Sequence, residues 1–285
     1  MYKIVVPTDF SKLSEHALDV ALDIGRKTNG AVFLLNVIGA NKNYSFSSMG
    51  GGVTDEYVSE DDRFVLELHR SNEKRLRTLI AKHQHGEVPV YPFIEIDDLD
   101  EGVNHFAERL NCDLVVMGTS GENTWTEYFE GNHTERVIRI THIPVLTIRN
   151  PTTDFKVKNI VFATDLKTVA KEGVDQIEKF ATYYGATVHM VHVSNDDPEK
   201  VRKRMEAFAE EHETPHQVPE LTINPIRGGK VEQAILEFAK EKNADIVASV
   251  NHGRKGLMHL FVGGLSERLV RDSDVPVLTI HMDPH

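Results

Sequence analysis

YKIVVPTDF, residues 2–10, is a short β-branched run that ends on Pro-Thr-Asp, and the same figure returns as KNIVFATDL at 158–166. Apolar residues at consecutive positions suit a strand buried on both faces, not one with a wet side. The recurrence spreads outward from this pair. NGAVFLLNVI (29–38) is answered by YGATVHMVHV (184–193), NCDLVVM (111–117) by NADIVAS (243–249), and IPVLTI (143–148) by VPVLTI (275–280). Spacings agree as well as letters: Asp113 to Gly121 and Asp245 to Gly253 are both 8 positions, and Gly121 to Pro144 and Gly253 to Pro276 are both 23. Four matches in one order make this a domain-sized internal repeat. The chain's 285 residues, about twice a common domain length, fit two copies. Their join is placed at NPTTDFKVK (150–158), a turn-forming stretch, with domains at 1–150 and 156–283.

Each copy alternates strand and helix. After the first strand, apolar Leu13, Ala17, Val20, Ala21 and Ile24 keep a helical period, with Ser11 or Ser14 as its cap. AVFLLNVI is a second strand, 60–85 a long charged amphipathic helix, and PVYPFIEI a third strand. DEGVNHFAERL is a helix, DLVVM a fourth strand, and GNHTERVIRI (131–140) a helix leading into the fifth strand, PVLTI. This alternation predicts an α/β fold, two tandem doubly wound domains, each a five-stranded parallel sheet flanked by helices.

The formal net charge is −12, with 15 basic and 23 acidic side chains in residues 1–150 and 17 and 21 in the remainder. An acidic surface with no basic stripe argues against nucleic acid or an anionic membrane as the main partner. A lone cysteine, Cys112, leaves no internal disulfide and fits a reducing compartment. The opening MYKIVVPTDF has no apolar h-region, and no later run approaches 18 apolar residues. The expected setting is cytoplasmic.

Function is expected where an open parallel sheet binds ligands, beyond the carboxyl ends of the strands where their order reverses. Two loops have binding chemistry there: Pro7-Thr8-Asp9-Phe10-Ser11 after strand one, and GTSGENTWTEYFEGN (118–132) after strand four. In the second, two residues separate Gly118 from Gly121 and nine separate Gly121 from Gly131. Glycine after strand four lets backbone approach a ligand or take φ > 0. Gly131-Asn132-His133-Thr134 then opens a helix, whose free N–H groups favour an anion. Asp9 can accept from an amino or hydroxyl group. A nucleotide meets these demands, with base or ribose at one end and phosphates at the other. The lesser alternative makes Asp9 and Asp165 caps of the first helix of each copy.

The repeat, the Pro7–Ser11 opening, and G-x2-G-x9-G before a helix ending in PVL resemble the universal stress protein family in its tandem two-domain form. In that family the pattern ends in Ser or Thr and marks members that bind ATP or related adenine nucleotides. The resemblance implies that Asp9, with Pro7 and Thr8, contacts the adenosine and that Val37 lies beside the base. It implies that Met117, Gly118, Gly121, Gly131, Asn132, His133 and Thr134 surround ribose and phosphates. In the second copy the corresponding residues are Asp165, Val193, Gly253, Gly263, Gly264, Leu265 and Ser266. The family's fifth strand pairs across a two-fold axis, which implies that 144–148 pairs with 276–280 as an intrachain pseudo-dimer; a further homodimer stays open.

The chain departs from the pattern. Asn132 stands where Ser or Thr is expected, and Glu122, Glu127 and Glu130 crowd a spacer without Lys or Arg, which disfavours a triphosphate unless Mg²⁺ intervenes. Val250 replaces the first glycine of the second copy and Gly264 the Ser/Thr, although Arg254 and Lys255 suit phosphate. The first copy has the better glycines and the second the better charges; the first is favoured for nucleotide.

Other constellations read as structure. SSMGGGVTDEY (47–57) follows strand two, so it is an insertion and not a phosphate loop; the second copy has only SNDDPEK there. The 15 histidines show no metal-ligand spacing: His212 and His216 are separated by Pro215, and His189 and His192 face opposite ways in a strand. There is no G-x-S-x-G, Walker A lysine or Rossmann G-x-G-x-x-G. Three functions follow: a stress-response module that binds adenine nucleotide and acts through partners, a nucleotide-free scaffold, or a slow Mg-dependent ATPase.

Overall fold

The structure, a computed structural model, describes residues 1–39, 60–83, 86–119, 132–151, 155–166, 171–212, 218–252 and 264–282. The first half runs β1 (Lys3–Pro7), α1 (Lys12–Thr28), β2 (Ala31–Gly39), α2 (Glu60–His83), β3 (Val90–Asp97), α3 (Leu99–Arg109), β4 (Leu114–Gly118), α4 (Asn132–Ile140) and β5 (Val145–Ile148). The second repeats it as β6 (Asn159–Ala163), α5 (Lys171–Tyr184), β7 (Thr187–Ser194), α6 (Pro198–Glu211), β8 (Glu220–Arg227), α7 (Val231–Glu241), β9 (Ile246–His252), α8 (Leu265–Asp272) and β10 (Val277–Met282).

The strands form one sheet in the order β3-β2-β1-β4-β5-β10-β9-β6-β7-β8. All neighbours are parallel except β5 and β10. In each half the first strand therefore lies between the second and the fourth, and the order reverses there. Strand alternation explains the continuous apolar runs: Ile4 and Val6 enter one helical layer and Val5 the other, all three fully buried. The outermost strands carry Pro92 and Pro225, which have no N–H to offer a further strand and blunt both edges.

The two halves join as the resemblance implies. Leu146 stands opposite Leu278, flanked by Thr147 opposite Val277 and Val145 opposite Thr279. The threonines act reciprocally: Thr147 Oγ1 donates to the Val277 carbonyl at 3.2 Å, and Thr279 Oγ1 to that of Val145 at 3.3 Å. One core layer is continuous through the seam, taking in Leu146 and Ile148 with Leu278 and Ile280.

The halves differ at the ends of β4 and β9. The β4–β5 ladder stops at Gly118 opposite Ile148. Its counterpart runs on through Val250 opposite Ile280 to His252 opposite Met282. Strand therefore continues in the second half past the position where the ladder of the first half ends.

Candidate functional site

The loop after β1 is built by its own short side chains. Thr8 Oγ1 accepts the Phe10 N–H at 3.0 Å, and Asp9 Oδ1 accepts the Ser11 N–H at 2.9 Å. Ser11 caps α1, accepting from the Ser14 N–H. Asp9 is therefore not the cap; it shapes the turn that delivers the cap. Phe10 is held at φ 66°, and Leu166, its counterpart, at φ 60°. Left-handed backbone costs a bulky side chain roughly 1–2 kcal/mol, and both halves retain it at the same place. Each turn is held the same way, since Leu166 N–H donates to Thr164 Oγ1 at 3.2 Å. The Arg75 guanidinium of α2 lies over the Phe10 ring, 3.9 Å from its centre.

Across the switch point, Gly118 is pressed against α1. A Cβ placed there would sit 2.6 Å from the Leu13 carbonyl oxygen and 2.7 Å from its carbon. The glycine serves close approach, to the helix that follows Asp9, and its φ is not positive. The carboxyl ends of β1 and β4 are thus neighbours where the strand order reverses, and Thr119 N–H donates to Ile148 O at 2.9 Å to hold the β4 end in place.

Several of the expected residues are taken up by the fold itself. Pro7 lies in the β1–β2 ladder opposite Leu35, and Thr8 is buried, its N–H given to Leu35 O and its carbonyl accepting from Asn36 Nδ2 at 2.8 Å. Met117 is wholly buried in the core, and it stands opposite Thr147 in the β4–β5 ladder. Val37, two residues before the end of β2, packs against α3, with Gly102 allowing the contact. Asn132 and His133 open α4, and Thr134 is buried in its first turn. Gly121, Gly131, Gly253 and Gly263 lie outside the described residues, as do the 40–59 insertion, the spacer glutamates, Arg254 and Lys255.

In the second half a cavity of about 630 Å³ opens at the strand ends. Asp165, Val193 and Leu265 line it, together with His192, Ile235 and Phe208. Ser266 is not in that lining; its hydroxyl lies 2.7 Å from that of buried Ser249. Gly264 caps α8, and its N–H donates to Glu267 Oε2 at 3.2 Å. The other oxygen of Glu267 accepts from Arg139 Nε of the first half at 2.7 Å. The sequence reading left out Asn36, Arg75 and Glu267 and set His192 aside as a strand residue. Asn36 and His192 sit in matching strand positions, LLNV and MVHV, where a polar residue amid apolar neighbours was the available signal.

Glu135, near Glu267, has its carboxyl pushed above the usual range by burial and, next, by the Glu267 charge. The folded state then binds more protons than the unfolded one, so this group costs stability as pH rises through the carboxylate range, and the cost is full at neutral pH. Glu135→Gln is expected to raise Tm at pH 7 by about 1–3 °C. Thermal melts should show the gain vanishing below the ordinary glutamate value of about 4.3.

The other titratable candidates have structural partners. Burial pushes the Cys112 thiol up to about 11, which leaves little thiolate at neutral pH. His83 of α2 bridges Asp19 at 2.6 Å and Glu15 at 3.2 Å, and His189 reaches Thr222 and Asn159. His212 stacks on Phe208, and His216 lies outside the described residues.

The universal stress protein family model matches residues 1–149 and again 156–281. The chain is 27% identical over 150 residues to universal stress protein MJ0531 of Methanocaldococcus jannaschii, a match spanning 52% of this chain and 82% of that one. It is also 27% identical over 152 residues to universal stress protein G of Escherichia coli O157:H7, spanning 52% of this chain and 100% of the relative. A crystal structure of a universal stress protein from Archaeoglobus fulgidus shares the fold along 98% of both chains, with TM-score 0.76 at 20% identity. Two family matches in succession and a sheet shared by both halves lead to one conclusion: the chain belongs to the universal stress protein family, in tandem form.

Proposed function

We propose that the chain binds an adenine nucleotide in the crevice between the β1 and β4 ends of its first half, and acts in a stress response through protein partners in the cytoplasm. One observation carries this reading. Asp9 spends Oδ1 on the Ser11 N–H, while Oδ2 has no hydrogen-bond partner among the described residues. This part-exposed carboxylate, fixed by its own turn at the end of β1 beside β4, offers an acceptor for an adenosine amino or hydroxyl group. The α4 N-terminus supplies N–H groups and a positive dipole end for phosphate. Among the described residues no helix is long and apolar enough to cross a membrane.

Thermal shifts with ATP, ADP, AMP and GTP, with and without Mg²⁺, test the proposal. A nucleotide at a hundredfold excess over its Kd contributes about 2.7 kcal/mol, a rise of roughly 5–10 °C at this size. The expected result is a shift with adenine nucleotides that Asp9→Asn abolishes. That substitution keeps an oxygen for the Ser11 N–H but turns the ligand-facing acceptor into a donor. A GTP shift equal to that of ATP would contradict the adenine assignment.

A further inference from the structure

The helices at the two ends of one layer carry opposite charges at equivalent places. Buried Asn72, Leu76 and Leu79 of α2 recur in spacing as buried Val201, Met205 and Phe208 of α6, so the two helices align without a gap. On that alignment Arg70, Glu73 and Arg77 of α2 fall on Glu199, Arg202 and Glu206 of α6. Spacings of three and four keep each trio on one side of its helix. Every sign is reversed: plus, minus, plus in the first half, and minus, plus, minus in the second.

These sides are the lateral ends of the molecule. β3 and β8 are the outermost strands, and α2 packs on β3 as α6 packs on β8. The side of α2 that meets α1 is marked by Arg75 over the Phe10 ring and by Lys82 and His83 on Glu15. At 3.6 residues per turn, Arg70, Glu73 and Arg77 lie roughly 140–160° round the helix from Arg75, away from α1. Arg70, Arg77, Glu199 and Glu206 are exposed, and Glu73 and Arg202 are half-buried.

Contacts within the chain do not use up the pattern. Arg70, Glu199 and Glu206 have no ion-pair partner among the described residues. Arg77 meets Glu73 at 2.9 Å in an exposed pair of the kind that contributes little, and Arg202 spends one N–H on the Ile223 carbonyl at 3.1 Å. Large apolar side chains are exposed at the same two ends, Leu66 and Ile96 at one and Leu221 at the other. Trios of mixed sign do not suit a polyanion such as nucleic acid, nor an anionic membrane. Their complement is each other.

We propose that the protein associates head to tail, the α2–β3 end of one chain docking on the α6–β8 end of a second copy. Because the strands reverse at the β5–β10 seam, copies shifted along the sheet bring α2 of one antiparallel to α6 of the next. Arg70 then stands opposite Glu206, Glu73 opposite Arg202, and Arg77 opposite Glu199. The same arrangement carries Leu66 and Ile96 toward the C-terminal end of α6, where Leu221 and Phe208 line one small cavity. Pro92 and Pro225 interrupt the strand edges below, which leaves the contact to the helices. Such a heterologous contact links copies into a row or a ring, not a closed pair.

Each copy carries a net charge of −12, so copies repel at long range. At about 0.1 M salt the screening length is ~10 Å, short against the molecule and long against an ion pair, whereas at 1 M it is ~3 Å. Sedimentation velocity of the full chain at both salt concentrations tests the proposal. At the lower salt the average mass is expected to rise with protein concentration past that of two chains, and at 1 M to fall back toward one. Arg70→Glu with Arg77→Glu makes both ends acidic, and Glu199→Arg with Glu206→Arg makes both basic. Each double variant alone should stay monomeric, while an equimolar mixture should associate again, since the acidic α2 of one meets the basic α6 of the other. All four positions are on the surface, and circular dichroism melts of each variant report folding. An unsubstituted chain that stays monomeric at 0.1 M salt, a mass that stops at two chains, association that survives either reversal, or a mixture that stays dissociated would each overturn the proposal.

Discussion

Gly118→Ala is expected to destabilise the protein by about 3 kcal/mol or more, at the upper end for an overpacked site. The added methyl would lie 2.6 Å from the Leu13 carbonyl oxygen, which is backbone and cannot rotate away. Neither neighbour can retreat cheaply. The start of α1 is pinned by the Ser11 cap and the Asp9 turn, and the end of β4 is tied to β5 through Thr119 N–H on Ile148 O. Thermal melts without ligand should show a fall of roughly 6–12 °C. An unchanged ligand-free Tm would mean that the glycine is kept for a ligand alone. The second half carries Val250 at this place, and there the strand continues to His252, so a side chain is accommodated where no loop has to leave.

Leu278→Asp is expected to cost more than about 4 kcal/mol, in the exceptional range for one substitution. Leu278 is 1% exposed and faces Leu146 across the antiparallel seam, in the core layer that both halves share. The substitution removes a buried leucine's apolar contacts and leaves an unpaired carboxylate far from water. Each half exposes half of this contact when separated, so loosening the seam exposes apolar surface on both sides. Circular dichroism and size-exclusion chromatography should find the variant largely unfolded or aggregated. A compact variant with native melting would show that the halves are stable without their joint.

Much of this architecture was readable in the letters. The repeated opening, KIVVPTD and NIVFATD, and the fixed distances from Asp113 and Asp245 to their glycines and prolines led to two doubly wound halves because buried parallel strands need apolar residues at consecutive positions. Gly118 was legible as a point of close approach, but its partner was not, since which backbone comes near depends on how α1 packs over β4. Asp9 was readable as an acceptor, whereas its division between a turn and a ligand needed the hydrogen bonds. Phe10 and Leu166 gave no hint of left-handed backbone, because propensity would put glycine or asparagine there. The exchange of Asn36 and Asn72 for His192 and Val201 was hidden for another reason: the two positions are 36 residues apart in the first half and only a tertiary contact pairs them. Glu267 was similarly concealed, since its partner Arg139 belongs to the other half.

The most direct test of the central claim is calorimetric titration of Mg-ATP into protein first freed of any nucleotide carried from the cell. The account predicts one ATP per chain in the unsubstituted protein and no measurable binding in Asp9→Asn. ATP bound with equal affinity in both proteins, or no heat of binding in either, would contradict it.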